Sequence, residues 1–373
     1  MASLSRADNS LLGRWWWSVD RWTLGAIGTL IGFGYIMMLA ASPAVAERIG
    51  TSRETFILKQ VVFLAVAGVI VVGVSLLSPR DIKRLAIIGC VIALGLTAAT
   101  MVVGMEIKGA RRWISSPGMS VQPSEFLKPC FAVVTAWLLS EAKRSPRFPG
   151  MIIAFLVFGL ILMLLKSQPD IGMLAVVTVV FLAQLYINGL PLALVGVALS
   201  MIGGGAVMAY TLFPHVRSRV TRFLDPSQGD NYQVQRALEA FGNGGLLGRG
   251  PGEGRVKDVL PDAHADTVFA VAGEEFGMIL CLFIVAVFAF IVLRGLLRLL
   301  AEQDLFVVLA ATGLVASFGL QAFVNMASTL HLIPTKGMTL PFVSYGGSSV
   351  LAVALGTGML LALTRKRHNG ELL

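Results

Sequence analysis

The sequence predicts an all-α polytopic membrane protein of about ten transmembrane helices, on three observations. The chain is 56% hydrophobic with a mean hydropathy of +0.79, a balance that soluble domains rarely show. Its apolar residues fall into runs close to the ~20 residues a helix needs to cross a bilayer. Lys and Arg concentrate in alternate short loops, as the positive-inside rule requires.

The ten runs are, in order, 22–42, 57–77, 85–105, 124–141, 150–166, 171–188, 191–213, 267–293, 305–327 and 346–364. Only KSQPD divides the fifth from the sixth. The first run is too long for a signal-peptide core and lacks a small-residue cleavage site, so it is expected to stay as a span. The expected organisation is a leader over 1–21, one ten-helix domain over 22–364 and a short tail over 365–373.

An arrangement with both termini cytoplasmic places Arg6, Arg14 and Arg21 inside, together with Arg80, Lys83, Arg84, Lys143, Arg144, Arg147, Arg294, Arg298, Arg365, Lys366 and Arg367. The run Trp15, Trp16, Trp17 and then Trp22 suits the interfacial belt at the inner start of the first span. The net charge of +9 is spread over loops rather than gathered on a soluble domain, which argues against nucleic acid and for anionic lipid headgroups. Cys90, Cys130 and Cys281 lie inside apolar runs at no metal-ligand spacing and read as small core residues.

The one long loop, 214–266, falls on the outer face between the seventh and eighth spans. Its polar start carries a short predicted helix over 230–241 ending at Gly242. The glycine-dense GNGGLLGRGPGEG follows, which permits tight turns or close approach to a ligand. As a phosphate cradle the pattern is weak, because no Walker lysine and no strand-to-helix context accompany it. Hinge packing and ligand contact both fit.

Three outer segments carry unusual polarity. In KGARRWISSPGMSVQPSEFLKP, residues 108–129, Glu125 and Lys128 are three apart and share a helical face, either as a plain ion pair or with Lys128 and Arg112 turned to an anionic headgroup such as a pyrophosphate. In PDAHADTVFAVAGEEFG, residues 261–277, helical spacing from Asp266 reaches Ala270, Gly273, Glu274 and Gly277, a small-residue face fit to border a cavity. An acid at such depth is a candidate general base, proton carrier or metal ligand. For Glu274 and Glu275 the better reading is a structural pair of one or the other with a lysine on another helix, and Asp262, His264 and Asp266 form a weak cation-site pattern. In NMASTLHLIPTKGMTLPFVSYGGSS, residues 325–349, Pro334, Pro341, Gly346 and Gly347 break the helix pattern, and Lys336 is either an interface anchor or the partner of an anion. Ser344, Gly346, Gly347, Glu125 and His264 join Arg112, Lys128 and Lys336 as candidate substrate contacts. No catalytic-triad order, paired-cysteine zinc motif or Walker box is present, so the residues alone define an outer-facing charged cavity for an anionic amphiphile.

These segments resemble the SEDS family of bacterial shape, elongation, division and sporulation proteins, from about residue 20 to 365. The motifs that carry the resemblance are KGARRWI with VQPSEFLKP, YQVQRALEAFGNGGLLGRGPGEG, LPDAHADTVFAVAGEEFG and PTKGMTLPFVSYGGSS. PTKG and the Trp-rich leader are more similar to the division branch than to the elongation branch. The resemblance implies a peptidoglycan glycosyltransferase at the outer face of the bacterial inner membrane, at the division septum, that polymerises lipid II into glycan strands. It implies a class B penicillin-binding protein as partner, other divisome membrane proteins around it, and a divalent cation such as Mg or Mn as a possible cofactor. It assigns the essential acid to Asp266, within Ala265-Asp266-Thr267-Val268-Phe269, where Ala265 and Thr267 depart from the family pattern. Arg236 and Ala237 also stand where many relatives have glutamine and serine. Two rivals stay open on the sequence: a lipid II flippase, which needs charge on both sides of one pathway, and a non-catalytic divisome scaffold, which has no use for Asp266.

Overall fold

The computed structural model describes residues 10–49, 53–107, 110–116, 119–212, 217, 220–221, 223, 232–260, 263–334 and 337–366. A helix occupies each of the ten predicted runs. They are α2 (Arg21–Ile49), α3 (Arg53–Ser75), α4 (Pro79–Val103), α5 (Pro123–Arg144), α6 (Gly150–Ser167), α7 (Ile171–Ile187), α8 (Leu192–Leu212), α10 (Val268–Leu299), α11 (Leu305–Thr329) and α12 (Gly347–Leu363). Six of them, α2, α3, α4, α6, α10 and α11, are long and apolar enough to cross a membrane on those grounds alone. Helices α7 and α12 are apolar but shorter. Helix α5 is more polar because Glu125, Lys128 and Glu141 lie within it.

Helix α11 is the most enclosed of the six. It packs against α5, α7, α10 and α12, so the centre of the bundle is built on α5, α11 and α12. Buried Gln184 of α7 staples this centre. Its Nε2 donates to the Ala132 and Leu309 carbonyls at 2.6 and 3.1 Å, and its Oε1 accepts from Thr135 at 2.6 Å. In a span without water such pairing removes the cost of an unsatisfied amide.

A short amphipathic helix, α1 (Leu11–Ser18), precedes the first span and is capped by Ser10, whose hydroxyl accepts from the Gly13 amide at 3.0 Å. Trp15 is buried and donates from Nε1 to Ser75 at 2.8 Å. At the same end Arg294 forks onto buried Asp20 through Nε and Nη2 at 2.7 and 2.9 Å, and Arg298 adds a contact at 2.9 Å. The Lys366 amide donates to the Ser18 carbonyl at 3.0 Å. Arg294, Arg298 and the Lys366 main chain, all assigned to the cytoplasm by the positive-inside reading, thus meet at one end of the bundle.

Two findings depart from the sequence reading. The segment that links α4 to α5 carries a small antiparallel sheet, β1 (Met105–Ile107), β2 (Ala110–Ser116) and β3 (Met119–Val121). The second concerns α10, which is broken at Gly277, where φ is 78° and ψ is −179°. Asp266 also precedes the helix, since Thr267 is its N-cap residue. The helical spacing extrapolated from Asp266 to Glu274 and Gly277 therefore does not hold.

The glycine-rich strip accounts for the break. It follows α9 (Tyr232–Gly244), which runs three residues past the predicted C-terminal end; residues 230 and 231 lie outside the described set. The amides of Met278 and Ile279 donate to the Gly245 and Leu246 carbonyls at 3.0 and 3.3 Å, while the Arg249 and Gly250 amides donate to the Glu274 and Glu275 carbonyls at 2.9 and 3.0 Å. Backbone groups freed on both sides of Gly277 are thus satisfied by the strip, as interior backbone requires. Only glycine allows the approach: a Cβ on Gly248, itself at φ 82°, would strike the Glu275 carbonyl, and one on Gly244 would strike that of Gly273. The strip is a packing surface for a broken helix.

Candidate active site at the 263–267 turn

The turn 263–267 delivers the chain into α10, at the end of the bundle away from Asp20. Three successive carbonyls of this turn are held from outside it. The His264 carbonyl accepts from the Tyr345 amide at 2.8 Å, and that of Ala265 from Ser344 Oγ at 2.6 Å. The Asp266 carbonyl accepts from Asn325 Nδ2 at 3.0 Å and from Thr329 Oγ1 at 3.4 Å. Asp266 itself is part-exposed, with Oδ2 3.2 Å from the point where a Cβ on Gly337 would sit. A glycine at 337 lets the chain pass beside this carboxylate.

The segment 337–346 forms the opposite wall. Ser344 Oγ accepts from the Leu340 amide at 2.8 Å as well as donating to Ala265, so this hydroxyl fastens the wall to the turn. Phe342 is buried at φ 62°, a left-handed conformation that costs a non-glycine residue about 1–2 kcal/mol. Gly34 of α2 makes room for its carbonyl. Gly346 opens α12, and a Cβ on Gly347 would lie 2.6 Å from the Phe63 ring, so Gly347 serves helix packing. The His264 ring lies 5.5 Å from that of Tyr345. Lys336 and Asp262 fall outside the described residues.

Lys128 is buried and donates to Glu125 at 2.8 Å and to Gln321 Oε1 at 2.5 Å. The expected Glu125–Lys128 pair is present. Gln321 passes the connection on, donating to the Thr339 carbonyl at 3.0 Å and to Ser349 at 3.3 Å. A small cavity beside Lys128 is lined by Ser317, Gln321 and Thr357 among apolar Leu314, Val353 and Leu360.

Arg112 is turned elsewhere. Its Nε and Nη2 donate to the Gln168 and Pro169 carbonyls at 2.8 and 2.6 Å, and Nη1 lies 3.6 Å from Asp170. It pins the sheet to the corner between α6 and α7. Among the described residues no three His, Cys, Asp or Glu side chains gather to hold a metal.

The residues that join these parts were not singled out from the sequence. Gln321, Asn325 and Thr329 are spaced by four on α11, so they share one face with ~6 Å of rise between successive members. They connect Lys128 at one point of the stripe to Asp266 at another. Their signal was available: polar residues at helical spacing inside an apolar span.

A bundle of apolar helices with a polar stripe on its most enclosed member, and an acid fixed in a turn at one end, defines a polytopic membrane protein with an enzyme-like site. The chain belongs to the family of cell cycle proteins that groups FtsW, RodA and SpoVE, whose model matches residues 21–369. It is 44% identical to the probable peptidoglycan glycosyltransferase FtsW of Caulobacter vibrioides, over 98% of this chain and 94% of that protein. It is 35% identical to the protein of the same name from Hydrogenovibrio crunogenus, over 92% and 91% of the two chains. The fold is similar to a chain solved in a study of how a peptidoglycan synthase complex coordinates polymerization and crosslinking, with a TM-score of 0.77, 27% identity, and 93% and 97% of the chains covered. It is also similar to the rod shape determining protein RodA of Thermus thermophilus, with a TM-score of 0.67, 25% identity and coverage of 94% and 97%. The family expected from the motifs is the family found.

Proposed function

We propose that this protein is a peptidoglycan glycosyltransferase that polymerises lipid II, with Asp266 as its general base. The observation that carries the reading is the threefold grip on the carbonyls of His264, Ala265 and Asp266, which fixes one part-exposed carboxylate at the mouth of a membrane bundle. Kinship with relatives named peptidoglycan glycosyltransferases supplies the substrate class.

In this reaction the 4-hydroxyl oxygen of one lipid II sugar forms a bond to the anomeric carbon of the other chain. The bond from that carbon to the pyrophosphate oxygen breaks, the configuration inverts, and undecaprenyl pyrophosphate leaves with the electron pair. The hydroxyl proton passes to Asp266. A positioned base of this kind contributes roughly 10²–10⁴-fold. Cations set in place before reaction favour the leaving pyrophosphate most as its charge develops. Lys128 and Lys336 are assigned that role, whereas the acceptors around Arg112 direct it to the 168–170 corner.

The end bearing Asp266 faces the outside of the cytoplasmic membrane in this reading, and the end bearing Asp20, Arg294 and Arg298 faces the cytoplasm. Residues 22–364 act as one ten-span domain at the division septum, beside a class B penicillin-binding protein, other divisome membrane proteins and anionic lipid. The test is polymerisation of labelled lipid II by the purified protein with that partner, wild type beside Asp266→Asn. Glycan strands from wild type alone are expected. Strands from both proteins would remove Asp266 as the base, and transfer of lipid II across liposomes without strands would replace the enzyme by a flippase.

A further inference from the structure

We propose that Glu274 is a positioning residue for Asp266, acting through the backbone amides of Arg255 and Val256; this rests on the assignment of Asp266 as the base. Glu274 is fully buried. Its Oε1 accepts from the Arg255 and Val256 amides at 3.0 and 3.1 Å, and its Oε2 from the Val256 amide at 3.1 Å. Glu275 beside it is answered differently: Lys257 Nζ donates to Oε1 at 2.6 Å, and the Gly252 amide to Oε2 at 3.0 Å. The lysine near this pair therefore serves Glu275, while Glu274 spends both oxygens on main chain. Gly254 lets the chain come that close, since a Cβ there would lie 2.9 Å from Glu274 Oε2.

A buried carboxylate is costly unless hydrogen bonds satisfy it, and an apolar side chain would fill the same space without that cost. What an apolar residue cannot do is grip two successive amides. The grip falls at a particular place in the chain. From Val256 the chain leaves α10, runs through buried Leu260 and Ala263, and returns to α10 at Val268. Glu274 and Val268 are six residues apart on the same helix, ~9 Å along its axis. The described residues 257–260 and 263–267 thus form the two limbs of an arch with both feet on the stretch 268–276. Glu274 fastens the departing foot, and Asp266 stands in the returning one.

The break at Gly277 makes 268–276 a short helix distinct from the rest of α10. Arch, short helix and glycine strip then form one packed body, and the carbonyls of 264–266 fasten its turn to α11 and the 337–346 wall. Releasing the departing foot allows the arch to rock about those grips and shifts the carboxylate. A displacement near 1 Å costs on the order of 10²-fold in rate when the geometry of reacting groups is lost. Lys128 lies on another element, so substrate binding is not expected to follow.

The test uses the full-length protein with its partner and the Glu274→Gln and Glu274→Asp variants. Two readouts are taken: hydrogen exchange of the amides in 252–276, and kcat and KM for lipid II polymerisation. Glu274→Gln keeps the volume but replaces one acceptor oxygen by a donor group facing amide N–H bonds. The expected result is faster exchange at Arg255 and Val256 that spreads to 264–266, with α11 amides unchanged. With it, kcat falls about 10–100-fold at constant KM, and Glu274→Asp, which keeps the charge, falls less. Faster exchange confined to 255–256, or an unchanged kcat, overturns the proposal. Loss of protection throughout α11 also overturns it, because Glu274 would then be a folding residue alone. If the wild type makes no glycan, the enzymatic reading fails, and the exchange data still decide whether Glu274 controls the Asp266 turn.

Discussion

Asn325 of α11 donates from one Nδ2 to two carbonyls, that of Asp266 at 3.0 Å and that of Met338 at 2.6 Å. A single fully buried amide therefore ties the acid-bearing turn to the wall opposite it. Replacing Asn325 by Leu leaves both carbonyls without this donor, at about 1–3 kcal/mol for each buried group left unsatisfied. The expected outcome is a lower melting temperature in detergent together with a polymerisation rate reduced at least tenfold. Asn325→Asp is expected to be worse, because a carboxylate would face two carbonyl oxygens. Wild-type turnover in Asn325→Leu would show that Thr329 and Ser344 hold the turn without it.

Lys128 joins Glu125 to Gln321 within the bundle, so its two neighbours respond differently to its removal. Lys128→Met leaves Glu125 as an uncompensated acid that is mostly buried, a change that costs about 3–5 kcal/mol for a buried pair. Glu125→Gln keeps a polar partner for the lysine and is expected to cost less. If Lys128 also meets the leaving pyrophosphate, Lys128→Met combined with Glu125→Gln recovers stability but not turnover. Recovery of both would restrict Lys128 to a structural role.

The far end of the bundle gives a pH prediction. Burial pushes the Asp20 carboxyl up, but hydrogen bonds from Arg294 and Thr23 and the charges of Arg298 and Arg294 outweigh it, so the group titrates below its ordinary value. An acid whose folded value is depressed contributes stability above its unfolded value, about 4, and loses it as pH falls through the folded value. Thermal stability should therefore be level from neutral pH to about 5 and decline below 4. Asp20→Asn is expected to lower stability at pH 7 by about 1–3 kcal/mol and to flatten the acid decline. An unchanged melting temperature at pH 7 would mean that the two arginines find equal partners in water.

The ten helices were legible because length and hydropathy are one-dimensional properties of the chain. Asp266 was legible for a related reason: an acid at the mouth of an apolar span is conspicuous. Glu274 and Glu275 were equally conspicuous, and the expected pair with a lysine from another element is present at one of the two. Lys257 pairs with Glu275 from a 3₁₀ turn, and Glu274 is met by amides, which leave no mark in a sequence. The break at Gly277 was hidden for the same reason, since glycine inside an apolar run is compatible with an intact helix. What opens the helix is a strip of chain about thirty residues earlier that satisfies its backbone. The sheet at 105–121 escaped notice because its outer strands have three residues each, too few for a period to emerge.

That dependence on a distant strip predicts unequal effects among glycines that share a left-handed backbone. Gly248, Gly252 and Gly277 have φ of 82°, 87° and 78°, so an added Cβ strains each by about 1–2 kcal/mol. Their surroundings differ. Nothing lies within 4 Å of a Cβ on Gly252, whereas one on Gly248 would strike the Glu275 carbonyl and one on Gly277 would strike the Gly248 amide. Gly252→Ala should therefore show the backbone cost alone and keep most activity. Gly248→Ala and Gly277→Ala should separate the strip from the helix break and expose the amides of Met278 and Ile279 to exchange. Because the same strip leads to the arch that carries Asp266, both should also lose turnover in proportion to that exchange. Equal effects at all three positions would assign the glycines to backbone conformation alone and remove the docking of the strip as the reason for their density.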